Sequence, residues 1–127
     1  MEESLKQLLL KDLSARLTYG VIIELHLKNA PNDSIYHVTK KLESFHLGEF
    51  YQGITNIIIK PYLRPMSSMT KEEEREWWEY KQIAESWEGQ DTRSIDWLNA
   101  HHFDYRGLIE KGLAIKVTKE NNPYASN

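Results

Sequence analysis

The chain has 127 residues, of which 40% are hydrophobic and 28% charged, and a formal net charge of −3. That composition suits one domain with a real core and excludes a disordered chain, while no apolar run nears the ~20 residues that a membrane-spanning helix needs. The absence of cysteine excludes disulfides, thiolate zinc sites and a cysteine nucleophile. With an acidic start, Met1-Glu2-Glu3-Ser4, where a secretion signal would be basic, these features predict a cytoplasmic protein.

Residues 4–17 read as a helix. Leu5, Leu8, Leu9, Leu13 and Leu17 recur at three-to-four spacing, Lys6, Lys11, Asp12 and Arg16 fall mainly off the stripe, and Tyr19-Gly20 supplies the stop. Residues 21–62 read as β structure. Val21, Ile23, Leu25 and Leu27 alternate with Ile22, Glu24 and His26, the period of a half-buried strand. A turn over Asn29–Ser34 leads to a second strand, Ile35 to about Leu42. Phe45–Tyr51 is expected as a third strand with Gly48 at a turn or bulge, and Ile54–Ile59 as a buried fourth. Pro61 and Pro65 are expected to end regular pairing.

Thr70-Lys71-Glu72-Glu73 is a capping box that opens a helix. Trp77, Tyr80, Ile83, Ala84 and Trp87 form its apolar face, Trp78 sits about 100° away, and Gly89 ends it. Thr92 or Ser94 caps the next helix, with Ile95 and Leu98 inward. Asp104 is placed to cap a short helix carrying Leu108 and Ile109, with Gly112 as its left-handed stop. Leu113, Ile115 and Val117 alternate as a short strand.

The expected fold is α+β: an N-terminal helix on a small antiparallel sheet, curled or barrel-like, then a helical C-terminal half. Residues 1–66 form the helix-and-sheet part, 67–120 a helical part packed on it as one compact unit, and 121–127 a frayed tail.

The stretch Lys60-Pro61-Tyr62-Leu63-Arg64-Pro65-Met66-Ser67-Ser68-Met69-Thr70 has a distinctive wording. So do Asp96-Trp97-Leu98-Asn99 and the run Phe103-Asp104-Tyr105-Arg106-Gly107-Leu108-Ile109-Glu110-Lys111-Gly112-Leu113-Ala114. Together with Lys11-Asp12-Leu13, Arg16-Leu17 and Tyr19-Gly20-Val21 they resemble an uncharacterised family of small prophage and mobile-element proteins of Bacteroides-type gut bacteria. The likeness covers roughly a third of the chain, and residues 22–59 depart from it. It implies a phage or mobile-element setting and no activity.

Chemistry is sparse. His101-His102 are adjacent and diverge by about 100° on a helix, so they do not chelate one metal together. His26, His37 and His46 are scattered over β positions. Asp104, Glu110 and His102 are candidate acids or bases, but Asp104 reads better as a cap and the acidic run Glu72–Glu79 as a solvated helix face. Gly107 and Gly112 lack the spacing of a phosphate loop. No catalytic set, metal site or cofactor is therefore assigned, and the chain reads as a non-enzyme.

Two binding readings remain. Four tryptophans and seven tyrosines exceed what a core of this size needs, and Trp, Tyr and Arg dominate interface hot spots. Trp77, Trp78, Trp97, Tyr105 and Arg106 are the candidate binding residues for a protein partner, of host or phage origin or a second copy as a homodimer. Residues 71–91 carry 3 basic and 8 acidic side chains, so this helix would steer a basic partner or mimic nucleic-acid charge. The alternative is nucleic-acid binding. Residues 94–118 then form a helix-turn-helix-like unit with Arg93, Arg106, Lys111, Lys116 and Lys119 on phosphates and Trp97 and Tyr105 stacking. A membrane partner is not expected.

Overall fold

The computed structural model describes residues 3–27, 36–52, 57–85 and 92–125. The leucine stripe forms α1 (Glu3–Arg16). Leu9 and Leu13 lose all solvent contact, and so do Asp12 and Arg16 beside them. The expectation that these two charges lie off the buried face is corrected: that face is wider than the leucines alone describe. A 3₁₀ turn, Leu17–Tyr19, and Gly20 at φ 72° end the helix where predicted. The left-handed backbone at Gly20 is a conformation that glycine adopts without strain.

The first two strands form where expected. β1 (Ile22–Leu27) lies antiparallel between β2 (Tyr36–Lys41) and β3 (Ile57–Pro65). The Asn29–Ser34 turn, residues 53–56 and the Gly89 stop lie outside the described residues.

The third predicted strand is corrected to a helix, α2 (Ser44–Gln52). Leu42 and His46, four residues apart, are each 2% exposed, whereas Phe45 is 51% exposed. His46 and its neighbour Leu47 both turn inward while Ser44, Phe45 and Gly48 stay exposed, which an alternating strand does not give. The Glu43 amide donates to His46 Nδ1 at 2.9 Å, so a side chain from the first turn satisfies a free amide at the helix start. Gly48 is a helical residue in open space rather than a bulge.

The prolines do not end the pairing. β3 runs through Pro61 to Pro65. Leu42 N donates to Val21 O, which turns the odd-numbered residues of β1 toward β2 and the even ones toward β3. Ile22, Glu24 and His26 therefore face the even residues of β3. Pro61 and Pro65 are odd, so the donors they lack would point to the other edge, and the ladder to β1 loses nothing.

Two short parallel strands complete the sheet. β4 (Phe103–Asp104) pairs with Arg64 and Pro65, and β5 (Ile115–Lys116) with Tyr62 and Leu63. The strand path is β2-β1-β3-β4 with β5 also on β3, and it does not close. The sheet is thus mixed and open, not antiparallel and barrel-like, because the chain returns to β3 from the helical half rather than through hairpins.

The capping box is made as predicted at the start of α3 (Lys71–Glu85). Glu73 N donates to Thr70 Oγ1 at 3.1 Å and Thr70 N to Glu73 Oε1 at 3.0 Å. α4 (Thr92–Ala100) packs on α3 and ends at His102, whose φ of 63° is the sole positive value at a non-glycine among the described residues.

The short helix expected after Asp104 is a single hydrogen-bonded turn. Asp104 still caps it, accepting from Leu108 N and Ile109 N at 2.9 Å each. Gly112 at φ 74° closes it with the pair Leu113 N to Leu108 O and Gly112 N to Ile109 O, the two bonds of a Schellman stop.

The tail expected to fray is tied down as far as Ala125. The Tyr124 hydroxyl accepts from Ile22 N at 2.9 Å and donates to Tyr62 O at 2.7 Å, bridging β1 and β3 where their ladder ends. Its ring stacks on His102, centroids 3.8 Å apart.

Two apolar clusters result. One lies between α1 and the sheet and includes Leu9, Leu13, Ile23, Ile59 and Leu63, with Leu108, Leu113 and Ala114 from the C-terminal half. The other holds Met69, Trp97, Leu98 and Phe103, flanked by Met66, Trp77, Tyr80, Ile95 and Tyr105.

Candidate functional site

The five aromatic and basic candidates are not brought to one surface. Trp97 is 6% exposed. Its indole stacks on His101 at 4.0 Å and on Phe103 at 5.8 Å, and its Nε1 donates to Glu76 Oε1 at 2.9 Å. It is the core contact between α3 and α4. Tyr105 is half-buried and donates its hydroxyl to Asn99 Oδ1 at 2.9 Å. The guanidiniums of Arg16 and Arg106 lie 5.2 and 4.6 Å from its ring centroid. Arg106 Nη1 donates to Asp12 Oδ1 at 2.8 Å. Tyr105 and Arg106 therefore clamp the C-terminal segment to α1.

The histidine pair divides between two stacks, His101 on Trp97 and His102 on Tyr124. Burial, with the Arg16 guanidinium next in weight, holds the His102 imidazole down at about 4. His46 is buried in α2 rather than lying on a strand.

Trp87 lies outside the described residues, and Trp77 and Trp78 behave as their 100° offset requires. Trp77 turns inward toward the second cluster, with the Lys81 ammonium 4.6 Å from its ring centroid. Trp78 turns outward and is 60% exposed. Beside it runs an open groove of about 480 Å³ lined by Met66, Ser67, Met69, Glu74, Trp77 and Trp78.

Local sequence builds this groove. Pro65, at φ −65° and ψ 145°, leads into a 3₁₀ turn, Met66–Ser68, and Ser68 Oγ donates back to Pro65 O at 2.7 Å. The turn brings Met66 and Met69 to one side, and the capping box then directs α3 so that Trp77 and Trp78 form the facing wall. Arg64 fixes the junction: its guanidinium donates to both Glu73 oxygens at 2.8 and 2.7 Å and lies 4.1 Å from the Phe103 ring centroid. That pairing holds the Glu73 carboxyl down at about 2.

Sequence reasoning found Trp77 and Trp78 but missed Met66, Met69 and Glu74. The signal was present: two methionines three residues apart, directly ahead of a capping box, are placed on one face when the turn between them is helical.

A second, shallower cleft of about 290 Å³ is lined by Tyr19, Tyr80, Arg93, Asp96, Trp97 and Ala100. Burial and the neighbouring Asp96 carboxylate raise the Tyr19 phenol. It is a seam where the 3₁₀ turn after α1 meets α3 and α4.

The recognition helix that the nucleic-acid reading needs is the single turn after Asp104, and Arg106 is occupied by Asp12. Among the described residues no helix is long and apolar enough to cross a membrane, and no group of three His, Asp or Glu side chains has the arrangement of a metal site. No protein-family model, no curated protein and no solved structure matches this chain.

Proposed function

We propose that the chain is a non-enzymatic accessory protein of a prophage or other mobile element, and that it acts by binding another protein through the groove beside Trp78. The setting rests on the resemblance carried by residues 60–70, 96–99 and 103–114. The binding role rests on one observation: an indole 60% exposed, continuous with a groove walled by two methionines and a second tryptophan. Scattered apolar side chains on a surface need no explanation; an exposed indole beside two adaptable thioethers supports a docking role. Covering the open part of one indole contributes about 3 kcal/mol at about 25 cal/mol per Å². The non-enzymatic reading is supported by the use made of the polar groups. Asp12, Asp104 and Glu73 are each committed to holding elements of the fold together.

The test is capture from the native host with three tagged chains: wild type, Trp78→Ser and Phe45→Ser. Phe45 is the other exposed large apolar side chain among the described residues, and it lies on a different element. A protein retained by wild type and Phe45→Ser but lost from Trp78→Ser supports the reading. The same proteins retained by all three would overturn it.

A further inference from the structure

The occupant of this groove can be specified further, on the strength of the docking role just proposed. We infer that the groove between Met66–Met69 and Trp77–Trp78 takes a basic polypeptide segment. One aliphatic side chain seats against the methionines, and a lysine or arginine sits between the Glu74 carboxylate and the Trp78 ring.

Three observations converge on that chemistry. Among the described residues, Glu74 is the only charged one lining the groove. The carboxylates of α3 from Glu72 to Glu79 divide by use. Glu73 is held by Arg64 and Glu76 accepts from Trp97, whereas Glu72, Glu74 and Glu79 are exposed and form no ion pair with a described residue. The negative charge left over therefore lies at the groove and on the solvent side of the same helix. Arg75 stands one turn before Trp78 on the helix but does not line the groove, and the Lys81 ammonium already lies over the Trp77 ring.

The walls agree with the charge. The face of an indole attracts a cation, and this fold uses that contact at Lys81 on Trp77 and Arg64 on Phe103. Trp78, 60% exposed, carries no such cation among the described residues. Methionine is unbranched and polarizable, so a floor of two methionines adapts to an aliphatic anchor of no fixed shape.

The same charges disfavour the other occupants. A second copy bound with the groove on the two-fold axis would bring the two Glu74 carboxylates together. A nucleic acid would bring phosphates to carboxylates.

The probes are three short synthetic peptides of equal length built from Leu and Lys, Leu and Glu, or Ser and Lys. They are titrated into the full chain by calorimetry and intrinsic tryptophan fluorescence. The Leu/Lys peptide is expected to saturate and to blue-shift the emission, and both other peptides to bind more weakly. Trp78→Ser should weaken the Leu/Lys peptide about tenfold and Glu74→Gln about threefold, with Phe45→Ser unchanged. All three positions are exposed, so loss of folding does not confuse the result.

Failure to bind the Leu/Lys peptide, equal binding of the Leu/Glu peptide, or indifference to Glu74→Gln would overturn the basic occupant. The docking role would stand if capture still depends on Trp78. A dimer that Trp78→Ser dissociates would replace the basic segment with a second copy. Indifference of both capture and peptide binding to Trp78→Ser would overturn both readings.

Discussion

Arg106 reaches across 94 positions of sequence to donate from Nη1 to Asp12 Oδ1 at 2.8 Å. The other carboxylate oxygen of Asp12 accepts from Arg16 Nε, also at 2.8 Å, and Arg16 Nη2 donates to Phe103 O at 2.6 Å. One carboxylate thus joins α1 to the strand and turn that carry the second cluster. Asp12 and Arg16 are fully buried, while the Arg106 side chain keeps 17% of its exposure.

The asymmetry in burial predicts an asymmetry in cost. Asp12→Ala leaves a buried guanidinium without its counter-charge and should cost about 3–5 kcal/mol. Arg106→Ala removes a partly solvated partner, leaves Asp12 still paired with Arg16, and should cost about 1 kcal/mol. Urea denaturation of the two variants checks the order. Equal costs would show that Arg16 does not depend on Asp12.

This network marks where sequence reading stops. Aspartate and arginine four apart on a helix read as a surface pair, and their burial follows from Phe103 and Arg106, which no local pattern couples to them. The α2 segment was lost for a similar reason. Leu42, Phe45 and Leu47 suit either period until the core selects Leu42 and His46. Where the signal is contiguous it was legible: the Thr70–Glu73 box, the Asp104 cap, the Gly20 and Gly112 stops and the divergence of Trp77 from Trp78 all follow from neighbours in sequence. The groove needed one further step, the 3₁₀ geometry of residues 66–68, that composition does not announce.

The Arg64–Glu73 contact predicts an acid-labile junction. Glu73 is held at about 2, below its ordinary value of 4.5. Its folded pKa is depressed, so its contribution is complete above about 4.5 and is lost as the pH falls toward about 2. The contact is partly solvated, so the contribution is on the order of 1–2 kcal/mol. Glu73→Gln should be less stable than wild type by that amount at neutral pH, with the difference closing near pH 2. A difference that stays constant down to that pH would remove the ionic contribution.

His102 adds a second, higher acid limb. Its imidazole is held at about 4 against an ordinary 6.5, first by burial and then by the Arg16 charge, with His101 and Arg64 adding to it. Between those values the unfolded chain binds the proton and the folded chain does not, so stability falls as the pH drops from about 6.5 to about 4. The loss is on the order of 2–3 kcal/mol. Asparagine tolerates the left-handed backbone that His102 adopts and does not titrate. His102→Asn should lose the Tyr124 stack and some stability at neutral pH, but its stability should stay flat across this window. An unchanged slope in the variant would assign the limb to another group.

Trp78 and Trp97 should separate function from folding. Trp97 is 6% exposed and carries two ring stacks and an indole hydrogen bond. Trp97→Ala should cost about 3–5 kcal/mol through the cavity and the acceptor it abandons. Trp78 is 60% exposed, and a surface serine there should change stability by no more than about 0.5 kcal/mol. Thermal and urea unfolding of the two variants measure this directly. A Trp78→Ser variant as damaged as Trp97→Ala would mean that the indole supports the fold, and its exposure would lose its force as evidence of a docking surface. A stable Trp78→Ser chain that no longer captures its partner would place the exposed indole in the contact itself.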